Sequence, residues 1–263
     1  MAAADHKLLA DDEPAPARVL RETRTSDFLL TADHAGRLIP RRLGLLGVPE
    51  SELDRHIAWD IGIAGVTERL AALLDATAVL QTYSRLVIDC NRDPSVPSST
   101  PDLSEATPIP GNVGLSAADR AARIDEIFAP YHARIAALLD ARKIARRRTV
   151  LVAMHSFTPV FKGESRAVEV GVLFNRDVRL ASALLDRLRA EGDIVVGENA
   201  PYAVSDESDY GVPVHGEKRG LPLVEIEIRQ DLIADAAGQA AWAARFARLL
   251  PAADAILRKA AGL

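Results

Sequence analysis

The chain has 263 residues, of which 48% are hydrophobic and 26% charged, and its net charge is -5. That length and balance suit one α/β domain with a large core, and the acidity argues against nucleic acid or an anionic membrane as a partner. The single cysteine, Cys90, excludes an internal disulfide. Neither a signal peptide nor an apolar run of membrane-spanning length is present, so the expectation is a cytoplasmic protein.

Residues 1–26, rich in Ala, Pro and charge, read as an N-terminal arm or edge segment, partly ordered and outside the core, ahead of a single domain over 27–263. Phe28 to Ala32 is a short apolar strand that ends in Asp33, His34 and Gly36. A polar loop at the C-terminal end of a strand is where open α/β sheets hold ligands. From about Pro49 a helical pattern runs through HIAWDIGIAGVTERLAALLDA, which would put His56 and Asp60 on one face.

Ala78 to Tyr83 and Leu86 to Asp89 read as successive strands, and the second enters a charged cluster of Arg85, Asp89, Asn91 and Arg92. Unpaired buried charge costs several kcal/mol, so such a cluster points either to an anionic ligand or to an internal ion-pair network. Cys90, at this apolar strand end, reads as a small core residue. Residues 93–115 form a Pro/Ser/Gly-rich stretch without period, a candidate lid or a plain surface excursion.

Ser116 with Asp119 begins a helix with Ile127, Phe128, Tyr131, Ile135, Leu138 and Leu139 on its apolar face, which Pro130 should kink or divide. The basic run at its end, ARKIARRR, suits a solvated helix terminus. Thr149 to Met154 is the clearest buried strand and ends at His155 and Ser156. A strand over Val168 to Leu173, a helix over Asp177 to Glu191 and a strand over Asp193 to Gly197 follow. After a polar loop containing Tyr202, Tyr210 and His215 comes the strand Leu223 to Ile228, with Glu225 and Glu227 on one side. The Ala-rich end is helical and expected to divide at Pro251. This alternation implies a sheet covered on both faces.

His34, Asp60 and His155 are candidate metal ligands, because two imidazoles and a carboxylate with an open position make up a hydrolytic zinc site. Their spacing is not diagnostic by itself, and a histidine at a strand end also serves as a structural hydrogen-bonding group. Glu227 is the candidate general base, with partnership to Arg229 or Lys218 as its structural alternative.

The motifs DHAGRLIP, HIAWDIG, YSRLVIDCNR, MHSFTPVF and HGEKRGLPLVEIEIRQDL, in that order across about residues 28–232, resemble the N-formylglutamate amidohydrolase family. That family is similar to zinc carboxypeptidases and aspartoacylases. The resemblance implies a three-layer α/β/α sandwich around a mixed sheet, phosphorylase/hydrolase-like, with one zinc ion per chain. The carboxypeptidase-like pattern has a glutamate three residues after the first histidine, where this chain has Arg37, and arginine cannot ligate zinc. The resemblance offers Asp60 as the substitute and Asp33 as the next candidate.

It further implies hydrolysis of a small N-acyl acidic amino acid, N-formyl-L-glutamate foremost. Glu227 and Arg85 would be catalytic. Asn91, Arg92, His215 and Arg229 would contact substrate, and Asp89 would hold Arg92. Carboxypeptidase-like or other deacylase specificity is the enzymatic alternative. A dicarboxylate-binding protein without chemistry, and a serine hydrolase built on Ser156 or Ser84, are the others.

Overall fold

The structure, a computed structural model, describes residues 7–262. Seven strands form one mixed sheet: β1 (Ala17–Leu20), β2 (Phe28–Ala32), β3 (Thr77–Gln81), β4 (Val150–Phe157), β5 (Val170–Leu173), β6 (Val196–Glu198) and β7 (Leu223–Arg229). Their spatial order is β1-β3-β2-β4-β7-β5-β6. The central four, β3, β2, β4 and β7, run parallel, while β1 pairs antiparallel with β3 and β5 antiparallel with β7. The C-terminal ends of four neighbouring strands therefore open on the same edge.

Alternation of side chains divides the core in two. Leu30, Val152 and Ile226 face a layer made by the helices α1 (Ile63–Leu73), α4 (Arg179–Glu191) and α5 (Ala236–Ala260). Leu29, Leu151, Ala153 and Leu223 face the other layer, built from α2 (Ala117–Arg123), α3 (Ala129–Ile144) and the loops beside them. The result is the three-layer α/β/α arrangement. Because the period of a strand is two, Glu225 and Glu227 share their face of β7 with Leu223 and lie on the loop side of the sheet.

Several local expectations are corrected. Of the N-terminal stretch, residues 17–20 form the edge strand β1, one of the two readings offered for it, but Leu8 is buried in the loop-side core, and residues 1–6 lie outside the described residues. The HIAWDIG stretch is not helical, and α1 begins only at Ile63, so His56 and Asp60 share no helix face. The division expected at Pro130 is present: a π-turn over Ile124–Phe128 separates α2 from α3, and Pro130 sits in the first turn of α3. Pro251 does not divide the last helix, which runs as one element from Ala236 to Ala260. The basic run is solvated only in part: Lys143 and Arg146 are exposed, but buried Arg142 donates to the carbonyls of Ser26, Asp27 and Phe28, and Arg148 pairs with Asp254. The Arg142 guanidinium thus adds donors to carbonyls at the start of β2, where Val150 N already bonds Asp27 O. Among the described residues, no helix is long and apolar enough to cross a membrane.

The largest correction concerns Leu86–Ile88, which is fully buried but joins no strand. Side chains satisfy this coil in place of a ladder. Arg123 Nη1 donates to Val87 O at 2.8 Å, Asn112 Nδ2 to Leu86 O at 2.8 Å, and Leu86 N donates to Ser84 Oγ at 3.1 Å. Arg123 also donates to Asn112 Oδ1 and to Gly111 O, so one guanidinium ties three segments together. Arg123→Met keeps much of the bulk and removes these donors, leaving buried carbonyls unpaired. It should lower unfolding free energy by about 2–4 kcal/mol in denaturant titrations. A loss below about 1 kcal/mol would mean that water or another donor replaces the guanidinium.

Candidate metal centre and cavity

The parallel strand ends bring together residues that lie far apart in sequence. Asp33 and His34 follow β2 directly. Gly36 lets the chain turn tightly there, because a Cβ at that position would lie 2.0 Å from Thr82 O. Asp60 arrives on the loop before α1, where its N–H donates to His34 O at 2.9 Å. The turn into α1 needs Gly62, whose φ of +82° is open chiefly to glycine and whose Cβ would meet Ile233 O at 2.1 Å. His155 lies on β4, in register with Glu227 on β7.

These groups are buried and densely connected. His34 Nε2 is 2.7 Å from Asp89 Oδ1, so it carries the proton and donates, which leaves Nδ1 as the acceptor atom. That Nδ1 has no hydrogen-bond partner and lies 3.6 Å from Asp60 Oδ2. His155 Nδ1 lies 3.1 Å from the same oxygen, which also accepts Ser156 N–H at 3.0 Å. Arg85 donates to Asp89 Oδ2 at 2.8 Å and comes within 3.6 Å of Asp60 Oδ1. Asp33 is set back: its Oδ1 accepts the Tyr131 hydroxyl at 2.5 Å, and its Oδ2 is 4.0 Å from His155 Nε2.

Ligand atoms of His34, Asp60 and His155 lie within 4.8 Å of one another, and these three residues could hold a metal ion. The separations of 3.1 and 3.6 Å to Asp60 Oδ2 bracket the edge of ~3.3 Å that ~2.0–2.1 Å bonds make in a tetrahedral site. The carboxylate behind His34 is the kind of outer partner that orients a ligating imidazole. Buried atoms without partners, namely His34 Nδ1, His155 Nε2 and one oxygen each of Asp33, Glu225 and Glu227, cluster here. Such a set is expensive to bury unless a cation or substrate satisfies it.

The electrostatics agree. Five carboxylates, those of Asp33, Asp60, Asp89, Glu225 and Glu227, surround two imidazoles and Arg85. Burial works against ionisation of Asp60, but His34 and His155 outweigh it and hold this carboxyl below the ordinary range. Burial likewise opposes ionisation of Asp89, and Arg85 with His34 keeps it well below. Burial pushes Glu225 up to about 7 and Glu227 well above the usual carboxylate range. His155 is raised despite burial, chiefly by Glu225 and Asp60.

A cavity of about 440 Å³ opens above this floor, lined among others by His56, Arg85, Arg92, Phe161, Tyr202 and Glu227. Leu103 and Glu105 from the 93–115 stretch contribute to one side. Four expected roles are not matched by placement. Asp89 binds His34 and Arg85, while Arg92 is held by the carbonyls of Asn91 and Ser208. Asn91 lines the cavity, but its Nδ2 donates to Asp209 and its Oδ1 accepts from Tyr210 N and Gly211 N, so it fastens the 208–211 loop. Arg229 lies off the cavity, paired with Asp231 and donating to Arg166 O. His215 is buried off the cavity and stacks on His132. Ser156 and Ser84 donate to the carbonyls of Ile61 and Ala58, so neither meets a histidine as a nucleophile would.

Sequence reasoning passed over His132 altogether, since it lies inside an ordinary helical pattern. Its Nε2 donates to Cys90 O at 2.8 Å, so its Nδ1 accepts, and His215 Nε2 donates to it at 2.9 Å. Burial depresses both, His132 to about 3 and His215 to about 4, so both are neutral.

Sequence and structure comparisons place this arrangement. A sequence model of the N-formylglutamate amidohydrolase family matches residues 26–234, and the chain belongs to that family. Its class is amide hydrolysis of an N-acyl amino acid. The crystal structure of the Atu2144 gene product of Agrobacterium tumefaciens is 39% identical, with a TM-score of 0.92, covering 96% of this chain and 100% of that one. The N-formylglutamate amidohydrolase of Ralstonia eutropha JMP134 has the same fold at 19% identity and a TM-score of 0.68, covering 94% of this chain and 100% of its own. A search of curated proteins returns no match.

The histidine pair makes a pH prediction. Below about pH 6.5 the unfolded chain binds protons that folded His132 and His215 refuse, so their contribution to stability is full above that pH and is lost as pH falls toward about 4. His215→Gln removes one refusing group, and its melting temperature should fall less steeply than that of the wild type between pH 6.5 and 4.5. Parallel profiles would show that the pair does not titrate with unfolding.

Proposed function

We propose that the chain is a zinc-dependent amidohydrolase that cleaves an N-acyl acidic amino acid, N-formyl-L-glutamate to formate and L-glutamate, with one zinc ion held by His34, Asp60 and His155. The observation that carries this reading is the convergence of one ligand atom each of His34, His155 and Asp60 on the floor of a cavity that also holds Glu227. A set of two nitrogens and one oxygen, closed off by protein on one side and open to a cavity on the other, suits a catalytic zinc site.

Zinc bound there supplies Lewis acidity, polarising the scissile carbonyl and acidifying water in the cavity. Glu227 takes the proton from the attacking water and delivers it to the leaving amine. Burial, with Asp60 and Glu225 nearby, makes this carboxyl hold a proton more tightly than a surface carboxylate, as a shuttle requires. Arg85, fixed by Asp89, turns a permanent positive charge toward the cavity and stabilises charge developing on the carbonyl oxygen. Arg92, fastened through Nη1, presents its remaining N–H groups to a substrate carboxylate. The 93–115 stretch forms part of the enclosure and would limit access to the site.

Protein purified without added metal should carry about one equivalent of zinc by elemental analysis, and His155→Ala should lose both the metal and turnover of N-formyl-L-glutamate. Retention of a full equivalent by that variant would remove His155 from the ligand set. Glu227→Gln should keep the metal while kcat falls by about a hundredfold or more. Near-normal kcat in that variant would move the proton-transfer role elsewhere, with Glu225 the next group to test.

A further inference from the structure

A second wall of the cavity takes no part in the chemistry above. Phe157 ends β4, and a hairpin follows, in which Val160–Phe161 pairs with Glu164–Ser165 and brings the chain back to Arg166. The Arg166 guanidinium lies 4.7 Å from the ring centre of Phe161, 4.8 Å from that of Tyr202 and 5.7 Å from that of Phe157. Its Nη1 donates to the Tyr202 hydroxyl at 2.7 Å. All three rings line the cavity, and Tyr202 is within electrostatic reach of Glu227 and Arg85.

Aromatic rings against a guanidinium exclude water from its faces and fix its plane, leaving the N–H edge to bind a planar anion. No protein carboxylate takes that place: among the described residues Arg166 makes no ion pair. The other cationic and amide groups around the cavity are committed. Arg85 is bound to Asp89, Asn91 is spent on the 208–211 loop, and Arg229 lies elsewhere. Arg85 and Arg92 are the arginines of the cavity lining, and Arg92, like Arg166 behind the aromatic wall, makes no ion pair among the described residues. One guanidinium in the lining, Arg92, and one packed on the lining rings, Arg166, neither in an ion pair among the described residues, match a ligand with two carboxylates.

We propose that Arg166, held by Tyr202 between aromatic rings, is a specificity-determining residue that binds the side-chain carboxylate of the substrate, with Arg92 binding the other carboxylate. The chemistry of that substrate rests on the amidohydrolase reading, but the recognition of a dicarboxylate does not. Arg166 bonds the ligand directly, Tyr202 positions Arg166, and a side-chain amide in place of the carboxylate forfeits the charge-assisted bond.

The test compares the full chain with Arg166→Met, Arg166→Lys and Tyr202→Phe, measuring kcat/KM on N-formyl-L-glutamate and N-formyl-L-glutamine. The wild type should favour the glutamate compound, and Arg166→Met should reduce that preference by about tenfold or more. Arg166→Lys should restore part of it, and Tyr202→Phe should reduce it less than Arg166→Met. A wild type without preference, or a ratio unchanged in Arg166→Met while both rates fall together, gives Arg166 a structural role and overturns the proposal. If the wild type hydrolyses neither compound, the reaction assignment fails by itself and titration calorimetry decides the subsite. Tighter binding of glutarate than of its monoamide, lost in Arg166→Met, upholds the subsite, and absence of that discrimination overturns it.

Discussion

The carboxylate of Asp60 is the point on which the site depends. One oxygen receives the Ser156 amide, lies against His155 Nδ1 and faces His34 Nδ1, while the other looks toward Arg85. A buried carboxylate is tolerated only if opposite charge or hydrogen bonds replace the water it gives up. Four elements therefore have to arrive together: the end of β2, the loop before α1, β4, and the coil that carries Arg85. The backbone bond from Asp60 N to His34 O ties the first two before any side chain is considered. The same convergence leaves His34 Nδ1 and His155 Nε2 without protein partners, so what makes the fold expensive here is also what makes the site able to bind.

That demand accounts for the irregular segment over residues 84–92. Arg85 has to reach Asp60 and Asp89 has to reach His34 from a segment that pairs with no strand. Coil permits it, provided that the backbone of the coil is bonded. Arg123 and Asn112 supply those bonds from the layer above, which couples the packing of α2 to the placement of Asp89 and thereby to the orientation of His34. Asn91 extends the same framework to the 208–211 loop, and Arg92 closes on Ser208 O. One wall of the cavity is rigid for these reasons. The opposite wall, with Phe161, Arg166 and Tyr202, is a hairpin and a loop joined by cation–π contacts and a single hydrogen bond, and it lies farther from the core.

Much of the architecture was legible before any coordinates. The apolar runs at Phe28–Ala32, 149–154 and 223–228 are too short and too β-branched for helices, and each ends in polar residues, so strands with functional C-terminal ends followed from local pattern. Period two placed Glu225 and Glu227 on one side of their strand. The helices α3 and α4 followed from their apolar faces. The pattern misled where burial and secondary structure separate. Leu86–Ile88 is as apolar as any strand, yet the carbonyls of Leu86 and Val87 are bonded by side chains from distant residues. HIAWDIG has helical spacing, yet Gly62 and the bond to His34 O break it. Pro251 lies within an otherwise continuous helix.

What the sequence determined by itself is the set of elements, the order of the motifs and the residue types able to bind a cation or an anion, because each follows from local periodicity and side-chain chemistry. What only the tertiary structure decided is which of these residues meet. His34, Asp60 and His155 lie 26 and 95 positions apart in the chain and become neighbours only because β2 and β4 are adjacent and parallel. Nothing in the sequence singled out Arg166, which the hairpin folds against aromatic rings, and His215 looked like a loop residue until His132 covered it. Distances between side chains from separate elements depend on how sheets pair and loops close, and a linear pattern carries no record of those distances.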